Sequence, residues 1–289
     1  MTLKEFNATI SSNIRYFTKV KEKVKSKFLI DTVKGVLKAR SIRISDVARS
    51  LETDLKTTAR HIFKRLERNL GQWDLEDVKE KAQLRQAGLI DNNTFIYFDP
   101  TDVVKKYGKK FESIGWVADG SDDHKTKRGY MTNVALALKD NEIIPMDLNL
   151  FAFSEEGFES QNQELINSLE SIVHRAKHKG TFVLDRGFDG FFIIRRLHLL
   201  GANFIIRMAE KRHYCLDSVL RRLNGKPRRF YARHEIINRF STVKTKALLD
   251  INKNRKLTKV LFTLRSVPVE LTQKIDSKRT LTLIRAKAS

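Results

Sequence analysis

The chain has 289 residues, 41% of them hydrophobic, and 56 Lys+Arg against 34 Asp+Glu give it a net charge of +22. That is ample apolar material for a folded core, and the charge excess points to a polyanionic partner, nucleic acid first of all. One cysteine, Cys215, excludes a disulfide framework and a cysteine-rich zinc site; no apolar stretch approaches the ~18 residues of a membrane span and no signal-peptide pattern opens the chain.

The excess is unevenly spread: +10 over residues 1–70, −4 over 71–210 and +16 over 211–289. Two basic ends around a slightly acidic middle suit surfaces that neutralise phosphates flanking a site that collects carboxylates.

Up to about residue 90 the pattern is helical. Ile14, Phe17, Val20, Val24, Phe28, Leu29 and Val33 keep a helical period and predict one helix over Asn13–Leu37. Ile42, Ile44, Val47, Ala48 and Leu51 form a short amphipathic segment starting at Ser45, followed by a polar turn at Glu52–Leu55. A second segment over Thr57–Leu70 buries Ala59, Ile62, Phe63 and Leu66. The pair matches a helix-turn-helix whose second helix, carrying Lys56, Arg60, Lys64, Arg65 and Arg68, reads DNA; the alternative is a helical hairpin with a solvated basic face.

From about residue 91 strands take over. Thr94–Asp99 is a nearly continuous apolar run ending in an acid, as is Thr181–Asp185, and both suit central strands covered on two faces. Between them lie strands over Tyr130–Leu138 and Ile143–Phe153 and a helix over Gln161–Lys177. A turn at Arg186-Gly187-Phe188, a helix from an Asp189 cap to Leu200 and a strand over Asn203–Met208 complete the segment. Each aspartate is either a ligand or a cap. The order β-β-β-α-β-α-β is that of an RNase H-like α/β mixed-sheet core, in which the first and fourth strands are neighbours, so Asp99 and Asp185, 86 residues apart, would face one site. Asp102, Asp119, Asp122, Asp123 and Asp189 read as turn, cap or solvated residues.

Beyond Met208 the chain is basic and strand-rich, with strands over Arg228–Ala232, Lys259–Leu264 and Thr280–Ile284 and clusters at Arg221-Arg222, Arg228-Arg229 and Lys253–Lys259. Tyr214, Phe230, Tyr231 and Phe240 sit among the charges, either to stack a displaced base or as the core of a small β-domain. The expected organisation is thus a helical DNA-binding region over 1–90, a core over 91–210 and a basic β-rich insertion over 211–289.

The segments Phe98-Asp99-Pro100-Thr101-Asp102, Gly129-Tyr130 leading into a strand, and Leu184-Asp185-Arg186-Gly187-Phe188 resemble the DDE transposases of bacterial insertion sequences, in the branch whose core is interrupted by a β-rich insertion. The resemblance spans roughly residues 40–289. It implies a transposase that binds terminal inverted repeats and performs Mg²⁺- (or Mn²⁺-) dependent cleavage and strand transfer. Its catalytic and metal-binding acids would be Asp99 and Asp185, and Arg60, Lys64, Arg65, Arg186, Arg228 and Arg229 would lie on DNA. The partners implied are double-stranded DNA, as transposon ends and target, and a second copy pairing two ends; the setting is the bacterial cytoplasm, at the nucleoid and away from membranes.

The sequence departs from that family at the third acid, a glutamate in a signature of Tyr, two residues, Arg, three residues, Glu, six residues, Lys. No tyrosine here starts that spacing, and Glu210, Glu235 and Glu270 fall at or after the fifth expected strand. The third acid is therefore unidentified, and the last core helix is expected to be missing beyond Ser289. The alternative function is a DNA-binding protein, or an inhibitor of transposition, that cuts nothing.

Overall fold

A computed structural model of the chain describes residues 3–18, 22–105, 107–108, 111–119, 122, 125–208, 213–216, 231–240, 243–253, 256–271 and 281–288. It divides into two compact units, Met1–Gln86 and Ala87–Ser289.

The first unit is helical. Two helices, α1 (Leu3–Phe17) and α2 (Lys23–Ala39), stand where the apolar period predicts one. The Thr18 N–H and hydroxyl both donate to the Ile14 carbonyl and close the last turn of α1. Next come α3 (Ile44–Leu55) and α4 (Ala59–Gln72), joined by a reversal at Lys56, whose φ is +48°. Glu52–Leu55, expected as a turn, is helical. The Glu52 carboxylate accepts from the Ala59 N–H at 3.0 Å and caps α4, while the Thr58 hydroxyl makes no capping bond. Val47, Ala48, Leu51, Ile62 and Leu66 pack with Phe28 and Leu29 of α2 in one apolar cluster. A last helix, α5 (Glu76–Ala87), ends at the boundary of the unit.

The second unit is built on a six-stranded mixed sheet: β1 (Phe95–Val104), β2 (Gly115–Asp119), β3 (Lys125–Lys139), β4 (Glu142–Phe151), β5 (Thr181–Leu184) and β6 (Asn203–Ile206). Its order is β2-β3-β1-β5-β6, with β4 pairing the same long strand, β3, as β2 does. β1 runs antiparallel to β3 and parallel to β5, which runs parallel to β6, so the sheet has the RNase H-like arrangement. Two helices, α6 (Gln161–Arg175) and α7 (Phe191–Leu199), cover one face. Leu165, Leu169, Ile172, Ile193 and Leu197 there meet Ile96, Phe98, Ala135, Ala137, Phe182 and Leu184.

Several expectations shift. β1 does not stop at Asp99: it continues through Pro100 to Val104, because β3 pairs with it as far as Gly129. Its last pair with β5 is Tyr97↔Val183, so beyond that point β1 is an edge, where proline is tolerated. β2, only five residues long, gave too short a pattern to be read. α7 begins at Phe191 after Gly190, later than an Asp189 cap would place it. Most of all, β1 is central but, among the described residues, helices cover only one face of it: Phe95, Tyr97, Leu136, Leu138, Ile143, Leu148, Leu150 and Ile205 on the other face are exposed.

The basic C-terminal stretch forms a five-stranded sheet of β7 (His213–Leu216), β8 (Tyr231–Ala232), β9 (Val243–Lys253), β10 (Lys256–Leu271) and β11 (Leu281–Ala288), with β10 pairing β7, β9 and β11. A short helix, α8 (Arg233–Phe240), was not foreseen in this strand-rich stretch. Its Ile236 and Ile237 pack with Tyr214, Val269 and Ile194 of α7. Among the described residues no helix is long and apolar enough to cross a membrane.

Candidate active site

Asp99 lies within β1, and Asp185 directly follows β5. The parallel register pairs Phe95 with Thr181 and Tyr97 with Val183. Two residues further along each strand, it sets Asp99 level with Asp185. Alternation places both carboxylates on the face opposite Phe98 and Leu184, whose side chains are in the core. The acids thus stand on the face opposite the one that α6 and α7 cover.

Asp185 is held by local geometry. Its carboxylate accepts from the Gly187 N–H at 2.6 Å and caps the 3₁₀ turn Arg186–Phe188. Phe188 is drawn into the core, where its ring meets Phe98 edge-on at 5.6 Å. Ligand and cap, the two readings of this aspartate, are therefore compatible: one carboxylate oxygen serves the turn. Partial burial, and then the charge of Asp185, push the Asp99 pKa above the ordinary carboxylate value.

Arg186 is exposed beside Asp185. Arg207, which sequence reasoning missed, stands level with Asp185 on the other side, since β5 and β6 pair as far as Leu184↔Ile206 and the Arg207 N–H donates to the Leu184 carbonyl. The signal was present: Asp185 and Arg207 are the fifth residues of Thr181-Phe-Val-Leu-Asp and Asn203-Phe-Ile-Ile-Arg.

No group of three His, Cys, Asp or Glu side chains able to hold a metal occurs among the described residues. Of the glutamates weighed as a third acid, Glu235 is in α8, ion-paired with Arg239 at 3.2 Å, Glu270 is in β10 level with Cys215, and Glu210 lies outside the described residues. Arg228 and Arg229 lie outside them too.

On α4, Arg60 and Lys64 are exposed, but Arg65 points to the helical core. Its guanidinium bonds the buried Asp31 carboxylate at 2.8 Å, with Lys27 on the same oxygen at 3.1 Å.

No protein-family model matches this sequence, and no curated protein matches it. Among solved structures, the chain is similar to a Mos1 transposase paired-end complex with the left transposon end, at 13% identity over 62% of this chain and 59% of that one, with a TM-score of 0.24. It is similar also to a pre-cleavage Mos1 transpososome, at 13% identity over 56% and 55% of the two chains, with a TM-score of 0.22. The chain spans less than two thirds of the length of each, and a likeness this faint assigns it no activity.

Proposed function

We propose that this chain is a DDE-type transposase of the insertion-sequence kind, which binds the terminal inverted repeats of an element and directs metal-dependent cleavage and strand transfer of DNA. One observation carries the reading: Asp99 and Asp185 each lie two residues beyond the last paired residues, Tyr97 and Val183, of neighbouring parallel strands in an RNase H-like sheet.

The acids supply hard oxygen donors, and the Asp99 pKa is raised by partial burial first and by the Asp185 charge second, the second of which a divalent cation would relieve. Mg²⁺ is commonly held by one or two carboxylates together with substrate phosphate, so the pair fits one ion; a second would need a further acid that the described residues do not place here. When bound, the ion would polarise the scissile phosphate and lower the pKa of the attacking water. Arg186 and Arg207 flank Asp185 and would hold the phosphates on either side of the scissile bond. Arg60 and Lys64 on α4 would neutralise phosphates of a bound repeat.

The test is nicking of supercoiled DNA carrying the element's ends, with Mg²⁺ and with a chelator. Asp99→Asn and Asp185→Asn should each abolish metal-dependent nicking and leave DNA binding intact; nicking that survives both changes excludes this site.

A second reading is a DNA-binding protein or inhibitor of transposition that cuts nothing. It is favoured by the absence of a third carboxylate near the pair among the described residues. Binding of the repeats without metal-dependent nicking would select it.

A further inference from the structure

The far end of β3 carries an aromatic and basic surface that the reading above does not use. Trp116 of β2 pairs with Arg128 of β3, and the Arg128 guanidinium lies 5.3 Å from the centre of the indole ring. The ring is nonetheless 59% exposed, and nearby along the chain Tyr107 is 88% exposed and Phe111 54%. A cross-strand pair that served only to staple the hairpin would cover its aromatic member. Here Arg128 occupies one side of an indole that remains largely in water.

The position is also specific. Residues 128, 130, 132 and 134 of β3 alternate onto one face, and Val134 is the partner of Asp99. Trp116 and Arg128 therefore share the face of Asp99 and Asp185, six residues away along β3, or about 20 Å at the rise of an extended strand. The end of the sheet is anchored from beneath: Phe151, Phe153 and Phe158 pack together at the junction of β2 and β4, and the Ser154 hydroxyl donates to the Ser113 carbonyl at 2.6 Å.

We propose that Trp116, backed by Arg128, is a stacking platform for an unpaired DNA base. An exposed indole offers a π-face to any base, and Arg128 and Lys105 supply positive charge for the adjoining phosphates. A strand displaced from a DNA end would lie with one base on Trp116 while its phosphodiester runs toward the two aspartates. The inference rests on the DNA reading above and names the unpaired strand as a ligand of that same face.

The chain has two tryptophans, and the other, Trp73, packs edge-on against Phe28 in the helical unit. A Trp73→Phe protein therefore reports on Trp116 alone. Titration with a short oligothymidylate should quench its fluorescence by half or more, and a blunt duplex of the same length should not. In the otherwise unaltered chain, Trp116→Leu should weaken oligothymidylate binding about 5- to 150-fold, Trp116→Phe should restore much of it, and duplex affinity should be unchanged in both. Oligothymidylate that binds without quenching, or equally well to Trp116→Leu, overturns the platform while duplex binding preserves the DNA reading. Failure of both DNA forms to bind overturns both.

Discussion

Asp185, directly after β5, lies two residues beyond the Tyr97–Val183 pair as Asp99 does on β1, and its charge adds to partial burial in raising the Asp99 pKa. The folded protein therefore holds the Asp99 proton more tightly than the unfolded chain does. Stability is undiminished below the ordinary carboxylate pKa of about 3.9 and falls as pH rises through the higher folded value. Asp99→Asn removes that loss. Its thermal midpoint should exceed the wild type's at pH 7, and the gap should close near pH 3.5. A lower midpoint at pH 7 would show that the Asp99 charge is not under strain, whatever happens to nicking.

Arg65 and its neighbours on α4 should separate into two behaviours. Arg65 satisfies the buried Asp31 carboxylate, so Arg65→Ala should cost about 2 kcal/mol in denaturant unfolding, with Lys27 preserving part of the pairing. Arg60→Ala with Lys64→Ala touches only exposed side chains and should leave stability within about 0.5 kcal/mol. If α4 docks on DNA, the double change should lower the slope of log affinity against log salt by about 1.8. An unchanged slope would remove α4 from the DNA interface.

Asp91 should give a pH signature opposite to that of Asp99. The Lys139 ammonium at 2.8 Å, then the Thr94 hydroxyl and the Asn93 N–H, lower its pKa to about 2. The stability it contributes is present above about pH 3.9 and is lost as pH falls toward 2. Asp91→Asn should therefore be less stable than the wild type at pH 6 and converge with it near pH 2. A constant difference across that range would mean that the carboxylate charge is not what the pair contributes.

Gly180 opens β5 with a φ of +84°, and a Cβ added there would sit 2.8 Å from Ile96 Cδ1. The backbone conformation disfavours a side chain there, and Ile96 would have to shift to admit one. Gly180→Ala should cost about 1–3 kcal/mol by calorimetry, because Ile96, fully buried, is itself a member of the β1–β5 ladder. A neutral result would show that the turn into β5 can relax without disturbing the pair.

Local pattern was enough to read much of this molecule. An apolar run closed by aspartate is a property of five or six consecutive residues, so Thr94–Asp99 and Thr181–Asp185 could be singled out and their strands ordered. The two short helices α3 and α4 were legible for the same reason, since a 3.6-residue period is written along a single segment. What the sequence could not show was anything dependent on register between distant segments. That Arg207 stands level with Asp185, that Arg65 turns inward to Asp31 across 34 residues, and that Trp116 shares a face with Asp99 all follow from pairings made only on folding. The bare side of the sheet belongs with these: apolar runs predict burial on both faces, but which face receives α6 and α7 is decided by how the crossovers pack. Residue type and local period determined the candidate acids; tertiary pairing alone decided what stands beside them.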